Sequence, residues 1–354
     1  PLMKHFIYLT FANRLLVVAF VVGLIGAGLA SFRSLPVDAF PDVTPALVQV
    51  FTETEGLAPE EVERYVTFPV EVAMNGLPGL KQIRSTSNFG LSVVNIYFED
   101  GTDIYFARQL VGERLQLARE EIPEGFGEPE MGPITTGLGQ ILFFFVADET
   151  RTRDLREIRE AQDWIIKYNL QTVPGVTEVL SLGGEEKQYQ VKVQPDALLR
   201  YGITINEVAD AISANNANAG AQFINRNAER LVVRSVGLAG SIADIESIVV
   251  KVEDGTPIHV RDVADVDVGG SPRQGLAVLD GQGEAVVGLV LKLIDTNTST
   301  VIADVKRRLA EINEQLPEGL VAVPYYDQSV LVAKSIKTVT SALIEGIVLV
   351  SLVL

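Results

Sequence analysis

The side chains able to do chemistry in this 354-residue chain are few in kind. There is no cysteine, so disulfides, thiolate metal sites and cysteine nucleophiles are excluded. The two histidines, His5 and His259, and the three methionines, Met3, Met74 and Met131, are scattered, and both histidines read as ordinary structural residues. No nucleophile–base pair or metal-hydrolase spacing is present. Gly237-Leu238-Ala239-Gly240 lacks the Gly-Lys-Ser/Thr ending of a phosphate loop. Carboxylates dominate, with 46 Asp and Glu against 29 Lys and Arg. Two of them sit at turns: Glu178 just after Pro174-Gly175, and Asp280 in Asp280-Gly281. The plain reading of each is a solvated turn residue. Glu60-Glu61-Glu63, Glu120-Glu121 and Lys306-Arg307-Arg308 read as outer helix faces.

The elements that must position these groups begin with an apolar stretch, Leu15 to Phe32, which carries no charge. As a helix it would reach roughly 27 Å, close to a bilayer's hydrocarbon thickness. Lys4 and Arg14 precede it and Arg33 closes it, which predicts an uncleaved anchor with a cytoplasmic N-terminus. Pro36 and Pro41 force an extended exit. Residues 33–340 hold 27 basic and 45 acidic side chains, a net of −18. That balance argues against nucleic acid, whose phosphates need clustered Lys and Arg. It fits a solvated surface, or an acidic lumen that concentrates cations. Ser341 to Leu354 is apolar but too short to span, and is expected to be the first part of a second membrane helix in a longer protein.

Between these ends one unit is used twice. A helix over 59–75, with Val62, Val66, Val70 and Ala73 inward and a kink expected at Pro69, ends at Pro78-Gly79 and leads into the strand 82–87. A second helix over 154–172, with Leu155, Ile158, Ala161, Ile165 and Tyr168 as its stripe and an Asp154/Glu157 capping box, ends at Pro174-Gly175 and leads into the strand 177–181. These turns lie 96 residues apart. The strand 91–99 and helix 103–121, with Ala107, Val111, Leu115 and Ala118 inward, end at Pro123-Glu124-Gly125. The strand 286–294 and its helix, with Val301, Val305, Leu309, Ile312 and Leu316 inward, end at Pro317-Glu318-Gly319, 194 residues later. The opening strands are 47–52 and 140–146. Each copy is thus a split βαβ unit of the ferredoxin-like kind. The excess of 98 residues requires an insertion in the second copy. It runs from about 183 to 272 and reads as a mixed α/β domain, with strands 187–193 and 230–234. It also holds a helix near 205–214 capped by Thr204 and Glu207, a flexible loop at 215–220 and a strand pair around Asp254-Gly255.

This layout resembles the resistance-nodulation-division (RND) efflux pumps, and specifically their heavy-metal branch. The stretches that carry the resemblance include Leu35 to Asp42, Phe98 to Asp103, Met131-Gly132-Pro133 and Thr136 to Gly139. Others are Gln162-Asp163-Trp164, Val173 to Val176, Asn215 to Gly220, Arg261 to Ala264 and Tyr326 to Ser329. The resemblance implies a multi-pass transporter of the Gram-negative inner membrane, not an enzyme. It implies a homotrimer in a tripartite assembly with a periplasmic adaptor and an outer-membrane channel, surrounded by membrane lipid. It implies no resident cofactor, a divalent metal cation as substrate and the proton as coupling ion.

By the same resemblance, 1–14 is cytoplasmic, 15–32 the first membrane helix and 33–335 periplasmic. The first porter subdomain is 38–134, and the second is 135–182 with 273–330. Half of the docking subdomain is 183–272, and 336–354 starts the second membrane helix. The proton-relay carboxylates of the family lie in later membrane helices, so none is assigned in this sequence.

The implied cleft draws on the strand Gln140-Ile141-Leu142-Phe143-Phe144-Phe145-Val146. Alternation puts Ile141, Phe143 and Phe145 on one face and Gln140, Leu142 and Phe144 on the other, and the strand is expected to be buried on both. Some metal exporters of the family carry an acid on this strand; here Gln140 or Phe143 stands in its place. Copper and silver pumps carry a methionine where this chain has Pro272, which disfavours soft monovalent ions. Substrate-path candidates are therefore Gln140, Phe143, Glu178 and Asp280, with Glu178 and Asp280 as metal ligands. The aromatic run keeps amphiphilic organic substrates as an alternative. A membrane-anchored sensor or binding module is a third reading, disfavoured by the inserted repeat.

Overall fold

The computed structural model describes residues 13–34, 44–54, 56–218, 222–226, 229–233, 237–273, 275–281 and 283–353. His5, Met3 and the exit prolines Pro36 and Pro41 lie outside them. Two compact units emerge: 1–151 with 162–182 and 286–354, and 152–161 with 183–285.

The first unit opens with α1 (Arg14–Ser34), an apolar helix. A four-stranded antiparallel sheet follows, with β1 (Leu47–Glu53), β2 (Leu80–Asn88), β3 (Leu91–Phe98) and β4 (Glu130–Met131) in the order β2-β3-β1-β4. Its helices are α2 (residues 59–74) and α3 (Ile104–Glu121). Strand alternation buries Val48 and Val50 of β1 and Val94, Ile96 and Phe98 of β3 against both helices. From α3 come Ala107, Val111, Leu115 and Ala118, as the periodicity predicts, and Asp103 caps its start by accepting from the Phe106 amide at 2.8 Å.

The second sheet repeats this order. Here β15 (Leu320–Asp327), β5 (Gln140–Asp148), β14 (Glu284–Lys292) and β6 (Val176–Leu182) lie side by side, all antiparallel. Its helices are α9 (Thr298–Asn313) and α4 (residues 155–171), of which residues 162–171 belong to this unit. Val301, Val305, Leu309 and Ile312 of α9 are buried. The strand buried on both faces is β14, not the expected β5. At its centre Gly288 stands opposite Phe144, whose ring lies across it, and a Cβ there would come within 2.1 Å of the ring.

The two repeat helices depart from the predicted pattern in the same way. Glu63–Thr67 of α2 and Gln162–Ile166 of α4 form wide π turns; in the first, the Phe68 amide donates to the Glu63 carbonyl. Buried residues then fall every fourth position: Val62, Val66, Val70, Met74 and Ile158, Gln162, Ile166, Leu170. On a regular α-helix three such steps would drift about 120° around the axis. A π turn takes up about one extra residue and keeps the row on the sheet. This corrects the 3.6-residue stripes. Ile166 and Leu170 face inward, Tyr168 is 54% exposed, and Met74 rather than Ala73 closes the first row. At Pro69 the π turn directly precedes the proline, where a kink was expected; α4 has the same turn with no proline, so it belongs to the repeated architecture.

The second unit pairs β7 (Lys187–Val193) with β12 (Ala264–Gly270), β8 (Gln222–Arg226) with β9 (Glu229–Val233), and β10 (Val249–Glu253) with β11 (Thr256–His259). The last pair turns on Asp254 and Gly255, both at positive φ, as an Asp-Gly hairpin requires. Helices α5 (Pro195–Tyr201), α6 (Ile205–Asn215), α7 (Ile242–Glu246) and α8 (Val260–Val263) cover two small apolar clusters. The Thr204/Glu207 capping box forms as predicted. Asp154 accepts from the Glu157 amide at 2.9 Å. Of the expected loop 215–220, residues 219 and 220 lie outside the described residues; Asn218 Oδ1 accepts from the Gly237 amide and Asn216 Oδ1 from that of Ala239. The short β13 (Ala277–Val278) leads through Asp280-Gly281 back to β14.

The first unit ends in α10 (Gln328–Val353), a continuous 26-residue helix. Among the described residues it alone is long and apolar enough to cross a membrane, with mean hydropathy 1.8 over its most apolar window. The described apolar part of α1, Arg14–Gly28, is shorter.

Replacing Gly288 with Ala forces Phe144 off its site. The expected cost is about 1–3 kcal/mol, the usual range for overpacking. It is read as a lower Tm in detergent, and G288A with F144L should recover part of it.

Candidate functional site

β5 has one closed face and one open face. Leu142, Phe144 and Val146 are buried against the helices, whereas Phe143 and Phe145 are half-buried on the other side. Ile141 does not share their face as expected. The β14 register skips from Leu142 to Gln140, so Ile141 is an unpaired bulge residue and is buried. Gln140 is left exposed beside it.

A second bulge shapes the neighbouring strand. Pro324 pairs with Phe144 and Tyr326 with Phe143, so Tyr325 is the inserted residue. In a regular strand two consecutive tyrosines would point to opposite faces. The bulge brings both to Phe143, with ring centroids 5.9 Å away for Tyr325 and 5.2 Å for Tyr326. Tyr326 meets Phe143 edge-on at 87°, and Tyr325 also approaches Phe145 at 6.3 Å. The rings of Phe143, Tyr325 and Tyr326, with Leu138, Gln140 and Gln328, line a cavity of about 390 Å³. Gln328 is buried, and its Oε1 has no hydrogen-bond partner among the described residues. The cavity offers aromatic faces and two amide groups, suited to an apolar or amphiphilic group with a polar end. Sequence reasoning missed Tyr325, Tyr326 and Gln328, because a bulge is a property of strand pairing; the Pro-Tyr-Tyr run at 324–326 was the available signal.

The other predicted residues fall elsewhere. Glu178 lies on β6, and its Oε1 is held by Lys167 Nζ at 3.3 Å, Gln171 Nε2 at 2.8 Å and the Val179 amide at 3.1 Å. Its side chain is 28% exposed, so it is a partnered carboxylate rather than a freely solvated one. Asp280 is exposed at a hairpin tip, with φ of 48°. Glu178 and Asp280 belong to different compact units. Among the described residues no group of three His, Asp or Glu could hold a metal ion. His259 caps α8, with Nδ1 3.5 Å from Asp262. Met74 is buried in the first core and Met131 packs against it. Arg308 is not simply an outer-face residue, since it donates to Asn169 Oδ1 at 2.6 Å and to Glu311.

Asp327 closes the cavity's strand and starts α10. Its Oδ1 accepts from the Ser329 amide at 2.8 Å, and Lys306 pairs with its other oxygen. Burial pushes its carboxyl up, but Lys306 and Ser329 together outweigh that and hold it below the usual carboxylate range. A depressed carboxylate stabilises the fold above its unfolded pKa of about 4, and that contribution disappears as pH falls through the native value. Thermal melts between pH 7 and pH 3 should therefore show an acid limb that D327N flattens; an unchanged limb in D327N would remove this assignment.

Comparison with known proteins is extensive. The model of the AcrB/AcrD/AcrF family matches residues 6–354. "Cation efflux system protein CzcA" of Alcaligenes sp. (strain CT14) is 45% identical over 97% of this chain and 33% of its own length. "Cobalt-zinc-cadmium resistance protein CzcA" of Cupriavidus metallidurans is 44% identical, and "Cation efflux system protein CusA" of Escherichia coli (strain K12) is 39% identical, each over 97% of this chain and 33% of its own length. The crystal structure of a heavy metal efflux pump (crystal form II) superposes with a TM-score of 0.86 at 37% identity, over 96% of this chain and 34% of that one. The chain spans about a third of the length of these relatives. With nearly its whole length matched in sequence and in fold, the chain belongs to the AcrB/AcrD/AcrF family.

Proposed function

We propose that this chain is the N-terminal part of a proton-driven RND transporter that exports divalent heavy-metal cations of the zinc, cobalt, nickel or cadmium type. The observation that carries the reading is the likeness, at 44–45% identity across 97% of the chain, to relatives named for cation efflux and cobalt-zinc-cadmium resistance. In this reading α1 and α10 are membrane helices, and residues 33–335 are periplasmic. The two sheets are ferredoxin-like porter subdomains, 38–134 and 135–182 with 273–330. The insert 183–272 is half of a docking subdomain. The transporter works as a homotrimer in the inner membrane with a periplasmic adaptor and an outer-membrane channel. It does no covalent chemistry and holds no resident cofactor, and the proton relay lies in helices beyond this sequence.

Within this chain the cation path uses Glu178, with Asp280 as a second carboxylate. A passing cation must compete with Lys167 for Glu178, which makes the site one of transfer rather than storage. A borderline divalent ion would be held by these carboxylates together with a histidine from the other half of the transporter. The cavity of Phe143, Tyr325 and Tyr326 favours a second reading, in which the substrate is an amphiphilic organic compound.

In a deletion strain complemented with the full-length gene, E178Q should lower zinc, cobalt or cadmium tolerance several-fold at equal protein level. The Lys167–Glu178 pair is partly exposed and worth only about 0.2–1 kcal/mol, so lost stability would not account for that change. K167M, which frees the carboxylate, should keep tolerance. Equal loss in both variants returns Glu178 to a structural role. Unchanged metal tolerance on deletion, with lost tolerance to amphiphilic drugs, selects the second reading.

A further inference from the structure

We propose that Lys334 and Lys337 of α10 form a headgroup clamp that binds the phosphates of anionic phospholipid where the helix enters the membrane. The inference rests on reading α10 as a membrane span. The start of that helix is fixed to the α/β unit, because Gln328 and Val332 are buried in it and Asp327 caps it at Ser329. Its apolar part is unburied, and the exposed lysines stand at the junction between the two. Three residues apart, they share one helix face. Beyond Lys337 the helix runs to Val353 with Glu345 as its one charged side chain. The stretch without Lys or Arg begins at Thr338, directly after the two lysines, so in this reading they stand where the helix enters the bilayer. The ammonium groups therefore lie at headgroup depth.

Charge on both sides points to the same ligand. Neither lysine has an ion pair among the described residues, and the carboxylate that precedes them in sequence, Asp327, is taken by Lys306. Residues 33–340 carry a net charge of −18, so the unit above the membrane repels an anionic surface. Two unpaired cations at the rim are its local counterpart. They also run against the preference for Lys and Arg on the cytoplasmic side if the unit is extracytoplasmic, so their placement needs a compensating anion. Nearby Thr338 and Thr340 return their hydroxyls to the Lys334 and Ile336 carbonyls, at 3.0 and 2.7 Å, and do not compete for the phosphate.

The test uses the purified full-length protein in mild detergent, titrated with phosphatidylglycerol or phosphatidylethanolamine and read by native mass spectrometry. Wild type should prefer phosphatidylglycerol. Each lysine is expected to supply roughly fivefold, so K334Q/K337Q should lose about 25-fold in phosphatidylglycerol affinity with phosphatidylethanolamine unchanged. K334R/K337R, which keeps the charge, should restore it and controls for misfolding. Phosphatidylglycerol affinity within twofold of wild type in the Gln variant overturns the proposal. Displacement of the lipid by millimolar inorganic phosphate also overturns it, since the site would then take a free anion. Carbonate extraction of cell membranes tests the span separately. Release of the protein would sink the membrane reading, whereas a retained protein without lipid preference sinks the clamp alone.

Discussion

The structure depends on keeping a helix seated along an antiparallel sheet when its apolar residues recur every fourth position. That spacing is longer than the 3.6-residue turn of an α-helix, so an unbroken helix would roll its apolar row off the sheet. Both α2 and α4 meet the constraint with one π turn at their centre. The wide turn also brings a polar side chain inward. Thr67 bonds the Ser87 and Ser92 hydroxyls, and Gln162 reaches Ser181 at 3.3 Å. Each helix is thereby fixed to its own sheet by apolar contact and by a buried polar contact at the same level.

Once the helices are fixed, the sheets have one face to spare. In the second sheet the helix side takes Leu142, Phe144 and Val146, and the other side keeps Phe143, Phe145 and the two tyrosines. Two bulges, at Ile141 and Tyr325, decide which side chains reach that face. Gly288 is the counterpart on the closed side, where the Phe144 ring occupies the space of a side chain. The open aromatic face is thus a consequence of how the core was closed. α10 continues directly from β15, and Asp327 accepts from the Ser329 amide at the junction.

The fold was largely legible in the sequence. Repeated Pro-Gly and Pro-Glu-Gly turns, the stripes of α3 and α9, the Thr204/Glu207 box and the Asp254-Gly255 hairpin are local signals. Turn chemistry, capping and 3.6-residue periodicity act within a few residues, and each gave the element found. The spacing of the repeats called for an inserted segment from about 183 to 272, and the second compact unit covers 152–161 and 183–285.

The candidate site was legible only in part. Composition excluded cysteine chemistry within this sequence, and the order of motifs pointed to the family, because residue types and their order are fixed before folding. The partners of Glu178, the buried acceptor of Gln328, the inward turn of Ile166 in place of Ile165 and the meeting of Tyr325 and Tyr326 on Phe143 were decided by tertiary structure. A bulge or a π turn moves every later side chain to a new face, and its position is set by the strand or sheet it packs against.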